Sequence, residues 1–146
     1  MEYSDLHFNQ EEILNGLRRW VECESPTFDV RAVNRCMDIA CYDLAAAGAR
    51  IERIAGQSGF ADCVRARFPH SSDAPGILIL GHLDTVHPIG TLTKLPWRVD
   101  GRRSYGPGIL DMKGGNYVAL HALRQLANAK IATQLPVTFL FTSDEE

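Results

Sequence analysis

The chain has 146 residues, of which 45% are hydrophobic, and a formal net charge of −3. That is enough apolar material for one globular core, and without a block of Lys and Arg the charge gives no footing to nucleic-acid or anionic-membrane binding. The longest strongly apolar stretch, GILILG, is too short to span a bilayer, and the polar, acidic start MEYSDLHFNQEE is unlike a secretory signal, so the sequence reads as a soluble cytoplasmic protein.

Residues 9–23 predict a first helix, with Ile13, Leu14, Leu17 and Val21 close to helical spacing. The segment ESPT ends it, because Pro26 disfavours a helical Ser25. Asp29 reads as the N-cap of a second helix, in which Val30, Val33, Met37, Cys41 and Leu44 recur every three or four residues until Gly48 closes it. ARIERIA and DCVRARF predict short strands, and PHSSDAPG is a loop rich in turn formers. ILIL, residues 77–80, predicts a strand buried on both faces, as inside parallel sheets. A long connection over residues 83–108 follows, with a small hairpin at RVDGRRSYG. Residues 112–129 predict a third helix and LPVTFLFT a last buried strand. Nothing in the chain suggests an internal repeat, a low-complexity segment or a linker.

This order predicts an α/β domain with a right-handed parallel crossover, strand 77–80 to helix 112–129 to strand 137–141. In such a unit the carboxyl ends of both strands and the amino end of the helix share one sheet edge, where ligands of open α/β sheets bind. The first strand runs into GHLDTVHP, the helix starts at GPGILDMKGG, and the last strand runs into TSDEE. Topology alone therefore predicts that His82, Asp84, Asp111, Glu145 and Glu146 meet.

One imidazole among carboxylates suits a borderline cation, Zn²⁺ with Mn²⁺ or Co²⁺ as substitutes. His82 offers one ring nitrogen, and Asp84, two residues on and on the same side of an extended chain, accepts the other ring N–H. Asp111 precedes a glycine-flanked helix start, where an anion is favoured, and a carboxylate there is placed to bridge two cations about 3.5–4 Å apart. Of the adjacent glutamates, one ligates a metal while the other takes a proton from the water to be activated. Gly106, Gly108, Gly114 and Gly115 let the backbone turn tightly beside them.

The remaining residues read plainly. Cys23, Cys36, Cys41 and Cys63 form no CxxC pair and are expected as small core residues. His87 is left outside the site as an exposed loop residue; His121 is expected packed or at the surface, and His7 and His70 in mobile polar segments. Trp20 and Trp97 are packing residues, and Arg102 and Arg103 lie in the hairpin turn. A nucleotide-binding loop is disfavoured, because Asp111 replaces the third glycine of GxGxxG and GxxxxGK[ST] is absent. Neither GxSxG nor HExxH occurs to support another hydrolase chemistry.

GHLDTVHP, YGPGILDMKGG and SDEE, in this order, resemble the M20 zinc peptidases, which include glutamate carboxypeptidase, acetylornithine deacetylase and succinyl-diaminopimelate desuccinylase. The likeness runs from ESPT to Glu146, and Gly106-Pro107-Gly108 looks most like the glutamate carboxypeptidase branch. The resemblance implies a three-layer αβα, mostly parallel zinc-exopeptidase sheet, incomplete at its C-terminus. It implies two Zn²⁺ ions per complete site, with His82, Asp111 and Glu146 as ligands, Asp111 bridging, Asp84 orienting His82, and Glu145 as general base. It further implies hydrolysis of a small peptide or N-acyl amino acid, releasing C-terminal glutamate in that branch, by a protein that can be a homodimer. Further ligands and a lid domain lie later in that family, so residues 1–146 are expected to be the N-terminal part of its catalytic domain. By itself this part is expected to bind metal weakly, aggregate and lack activity; the rival reading is a non-catalytic binding module retaining half a metal site.

Overall fold

The structure is a computed structural model and describes residues 6 and 8–146, so His7 lies outside the described residues. In chain order the elements are α1 (Gln10–Glu22), α2 (Val30–Ala46), β1 (Arg50–Ile54), β2 (Cys63–Arg67), β3 (Ile77–His82), the hairpin β4 (Arg98–Asp100) and β5 (Arg103–Tyr105), α3 (Gly114–Asn128) and β6 (Val137–Thr142). The helix starts follow from side-chain chemistry: the Asn9 carboxamide accepts from the Glu11 and Glu12 amides, and the Asp29 carboxylate accepts from the Ala32 amide. Gly48, at φ +95°, ends α2 as expected. Among the described residues no helix is long and apolar enough to cross a membrane.

Four strands form one sheet in the order β1-β2-β6-β3. β3 and β6 run parallel from Ile77↔Val137 to His82↔Thr142, so the expected crossover is present and the two strands finish level. The expectation of a mostly parallel sheet needs correction, because β1–β2 and β2–β6 are antiparallel. The buried residues Val64, Ala66, Val137, Phe139 and Phe141 point from one sheet face into a single core shared with Leu17, Trp20 and Val21 of α1, Val33, Cys36, Met37 and Leu44 of α2, and Tyr117 and Leu120 of α3. α1 and α3 come together where Gly16 has no side chain: a Cβ there would lie 1.7 Å from the Tyr117 hydroxyl oxygen.

Among the described residues two of the three expected layers are present, the sheet and the helices on that one face. β3 is an edge strand, so ILIL is not buried on both faces as expected: Leu78 and Leu80 are each 58% exposed. An apolar run has the same composition at an edge as in the middle of a sheet, so periodicity cannot separate the two cases. The third helix also starts later than expected, at Gly114, because Asp111 and Met112 have non-helical backbone angles.

Two further histidines make defined contacts. His70 accepts from the Ser72 amide at Nδ1 and sits 3.1 Å from the Thr133 carbonyl through Nε2, which links the 69–76 loop to the segment before β6. His121 is 1% exposed; the Gln125 amide donates to its Nε2, which leaves the proton on Nδ1, a buried atom without a partner among the described residues. Burial, aided by the Arg124 charge and opposed by Glu12, holds the His121 imidazole below its ordinary value of 6.5.

The unfolded chain therefore takes up a proton here at a higher pH than the folded one. Stability is expected to fall as pH drops below about 6.5 towards the lower folded value. Thermal melts of the wild type and of His121→Phe between pH 7.5 and 5 check this. The wild type should lose more of its melting temperature on acidification, and equal losses in both proteins would remove His121 as a cause.

Candidate metal centre

Both ends of the β3–β6 pair deliver their polar residues to one place. His82 is the last residue of β3, and the Leu83 amide still donates to Thr142 O at 3.2 Å, which carries the pairing past the end of the strands. Behind β6, Ser143 is buried and its hydroxyl donates to Ala61 O at 2.7 Å, so the chain is pinned just before Asp144, Glu145 and Glu146. One atom each from His82, Glu145 and Glu146 lies within 4.8 Å of the others. His82 Nε2 is 3.8 Å from Glu145 Oε2 and 3.2 Å from Asp111 Oδ1. Three of the expected carboxylates, Asp111, Glu145 and Glu146, thus gather at the His82 imidazole, and Asp84 stands on its Nδ1 side.

The fifth residue is the most enclosed. Asp84 is 0% exposed; its Oδ2 accepts from the Thr27 hydroxyl at 2.9 Å and from the Glu146 amide at 3.1 Å. Its Oδ1 has no hydrogen-bond partner among the described residues and stands 3.4 Å from His82 Nδ1. The nearer acceptor for that ring N–H is the Asp84 backbone carbonyl, at 3.1 Å, a contact the sequence did not suggest. Two acceptors on the Nδ1 side favour a proton there, the tautomer in which Nε2 would coordinate a cation in place of its contact with Asp111. Burial disfavours a charged His82, but the Asp111 hydrogen bond and the Asp84 and Glu145 charges outweigh it and raise the pKa above the usual 6.5.

Asp111 is positioned differently from the expectation. It lies in an irregular turn, Ile109–Lys113, three residues ahead of α3, and the Asp111–Met112 peptide is cis. Its carboxylate bonds to His82 and not to backbone amides at the start of α3, and it is 73% exposed. The turn closes through the Lys113 amide donating to Gly108 O at 3.0 Å. Of the four glycines in this segment, Gly108 is the one at positive φ, +67°, and a Cβ on it would lie 2.5 Å from Thr85 Cγ2.

Several supporting residues escaped the sequence reading. The segment after α1 is a strap across the site: Glu24 accepts from the Gly90 and Leu92 amides, the Ser25 hydroxyl donates to Leu83 O, and the Thr85 amide donates to Ser25 O. Lys113, 1% exposed, donates through Nζ to Cys23 O at 2.8 Å, and Asn116 donates to His82 O at 2.8 Å. These contacts cross 34 to 90 positions of sequence and leave no local pattern. His87, which the sequence left outside, lines a cleft of about 250 Å³ together with Thr85, Val86, Leu110, Asp111 and Glu146.

The donor set fits a metal ion. One imidazole nitrogen and two carboxylates converge, a third carboxylate adjoins them, and the buried, unpartnered Asp84 Oδ1 faces the far side of the ligating ring. A carboxylate behind a histidine fixes its tautomer and raises its basicity as a ligand.

Comparison with known proteins agrees with this arrangement. Residues 78–146 match peptidase family M20/M25/M40. Over 70 residues the chain is 47% identical to carboxypeptidase G2 from Pseudomonas sp. (strain RS-16), a stretch that is 48% of this chain and 17% of that protein. Human carnosine dipeptidase 1 superposes with a TM-score of 0.81 at 21% identity, over 97% of this chain and 33% of its own. The M20 family metallo-carboxypeptidase Sso-CP2 from Sulfolobus solfataricus gives a TM-score of 0.75 at 17% identity, over 90% and 30%. The chain therefore spans a third or less of the length of these relatives and shares their fold over nearly all of its own. The matched segment contains all five candidate residues, so the likeness to peptidase family M20/M25/M40 lies in the part of the chain that builds the site.

Proposed function

We propose that this chain carries the N-terminal part of the catalytic domain of a zinc-dependent hydrolase that cleaves a peptide or amide bond. The observation that carries the reading is the convergence of His82, Glu145 and Glu146 within 4.8 Å, with Asp84 buried behind the imidazole. The small share of each relative that the chain spans supports the view that further ligands and a substrate-binding lid belong to the complete protein.

In this reading His82, Asp111 and Glu146 hold metal, with Zn²⁺ best matched to mixed nitrogen and oxygen donors and Co²⁺ or Mn²⁺ as substitutes. A bound ion would polarise the scissile carbonyl as a Lewis acid and lower the pKa of the attacking water, so that its proton passes readily to a base. Glu145 is the proton carrier. Its carboxylate, 60% exposed beside His82, takes the proton from the attacking water and returns it to the departing amine. Asp84 holds the imidazole in the tautomer that leaves Nε2 available. The identity to carboxypeptidase G2 supports a carboxypeptidase reaction, and the likeness of Gly106-Pro107-Gly108 to the glutamate carboxypeptidase branch suggests a C-terminal glutamate as the released residue.

The test starts with the coding DNA beyond the Glu146 codon. The longest frame containing residues 1–146 should be expressed and assayed on N-acyl glutamates and dipeptides, with chelator and with restored Zn²⁺. Hydrolysis that disappears with chelation and returns with Zn²⁺ is expected. Absence of hydrolysis in a folded chain that also binds no Zn²⁺ would replace this reading with a non-catalytic module.

A further inference from the structure

Asp84 is locked by donors from two distant parts of the chain. The Glu146 amide comes from the loop after β6, and the Thr27 hydroxyl comes from the strap after α1. Thr27 is 4% exposed and Asp84 0%, so water does not substitute for either contact without a rearrangement. The strap itself is held along its length. Cys23 O receives the buried Lys113 ammonium, Glu24 receives two amides of the 88–95 loop, and Ser25 bonds both Leu83 O and the Thr85 amide. An isolated parallel bridge joins Pro26 to Thr85. Among the described residues the hydroxyl of Thr27 is thus the one side-chain hydrogen-bond donor to Asp84 Oδ2, and it is delivered by a segment with little freedom of its own.

Building on the metal-site reading above, we propose that Thr27 is a positioning residue of the metal centre. Its hydroxyl holds the Asp84 carboxylate at an angle that keeps Oδ1 turned towards His82 Nδ1 and Oδ2 towards the Glu146 amide. One hydroxyl thereby sets the orientation of two ligands, the imidazole of His82 and, through its backbone, Glu146. Without that donor the carboxylate rotates about its Cβ–Cγ bond to recover a partner for Oδ2. The imidazole then keeps only the Asp84 backbone carbonyl at Nδ1 and turns more freely, and the Glu146 tether loosens. Outer-shell contacts of this kind are worth about 10- to 100-fold in metal affinity.

Thr27→Val removes the hydroxyl at nearly constant shape, and Thr27→Ser keeps it. In the longest chain containing residues 1–146, Zn²⁺ titrations well below each protein's melting temperature should give a Kd at least about tenfold weaker for Thr27→Val. Thr27→Ser should lie close to the wild type. A purely structural role would lower the melting temperature of Thr27→Val and leave its Zn²⁺ Kd unchanged, and that result overturns the proposal.

A second measurement needs no metal. The buried Nδ1–H proton of His82 should give an exchange-protected NMR signal in the wild type and in Thr27→Ser, and lose that protection in Thr27→Val. If the wild type binds no Zn²⁺, the metal reading falls, and the assignment of Thr27 as the residue that orients Asp84 and His82 is decided by this signal. Unchanged protection in Thr27→Val rejects it.

Discussion

In the longest chain containing residues 1–146, Glu145→Gln is expected to keep its metal and lose about 10³-fold in kcat, with KM changed by a factor of about three or less. The size of the loss is that of a missing general acid–base group, roughly 10²–10⁴-fold, and 10³ corresponds to about 4 kcal/mol of barrier. Geometry alone permits another assignment, because Glu145 and Glu146 both lie within 4.8 Å of His82. Their tethering separates them. Glu146 is fixed through its amide to the buried Asp84, as a ligand that must hold position requires. Glu145 has a 60% exposed side chain, free to swing between water and leaving group. Glu146→Gln should therefore release metal, and Asp111→Ala should lose metal and turnover together. Metal content by elemental analysis, alongside kcat for each variant, decides the matter. Metal loss in Glu145→Gln with retention in Glu146→Gln would reverse the two roles.

That the five residues meet was readable because the crossover is a local unit. A strand of apolar residues, a helix with its glycine-rich entry and a second apolar strand are contiguous patterns, and parallel pairing brings their polar ends together whatever else the sheet contains. The neighbours of that unit were not readable. β2 alternates Val64 and Ala66 with Arg65 and Arg67, which marks one buried face but says nothing about which strand it pairs with, and it lies antiparallel to β6. The edge position of β3 follows from that order and not from its own residues. Within the site, Asp84 was legible from its spacing to His82. Thr27 was not, since its hydrogen bond crosses 57 positions. Asp111 was legible as a ligand candidate, but the chain's departure from helical angles at Asp111 and Met112 moved it from the helix start into a turn facing His82.

Trp20→Ala is expected to be the most destabilising single change in the described core, costing about 3–5 kcal/mol. Trp20 is 0% exposed and stands edge-on to Tyr117 at 5.3 Å and to Phe141 at 6.0 Å between ring centroids. It therefore joins α1, α3 and β6, the last of which leads into Glu145 and Glu146. Its indole N–H also donates to Asp43 Oδ2 at 2.7 Å, and Asp43 is buried on α2 with one further contact, from Arg19, at 3.3 Å. Truncation thus opens a cavity and leaves a buried carboxylate short of a donor, and both effects act in the same direction. Against a total stability of about 5–15 kcal/mol for an ordinary domain, that loss removes much of the folded population at 37 °C. Trp20→Phe separates the two terms: it keeps most of the ring packing and loses the N–H, so its cost should be about 1–3 kcal/mol. Urea melts of the three proteins at pH 7.5 measure both. A cost below about 1 kcal/mol for Trp20→Ala would mean that α1 does not anchor this core, and that the strap leaving its C-terminal end positions the site without help from it.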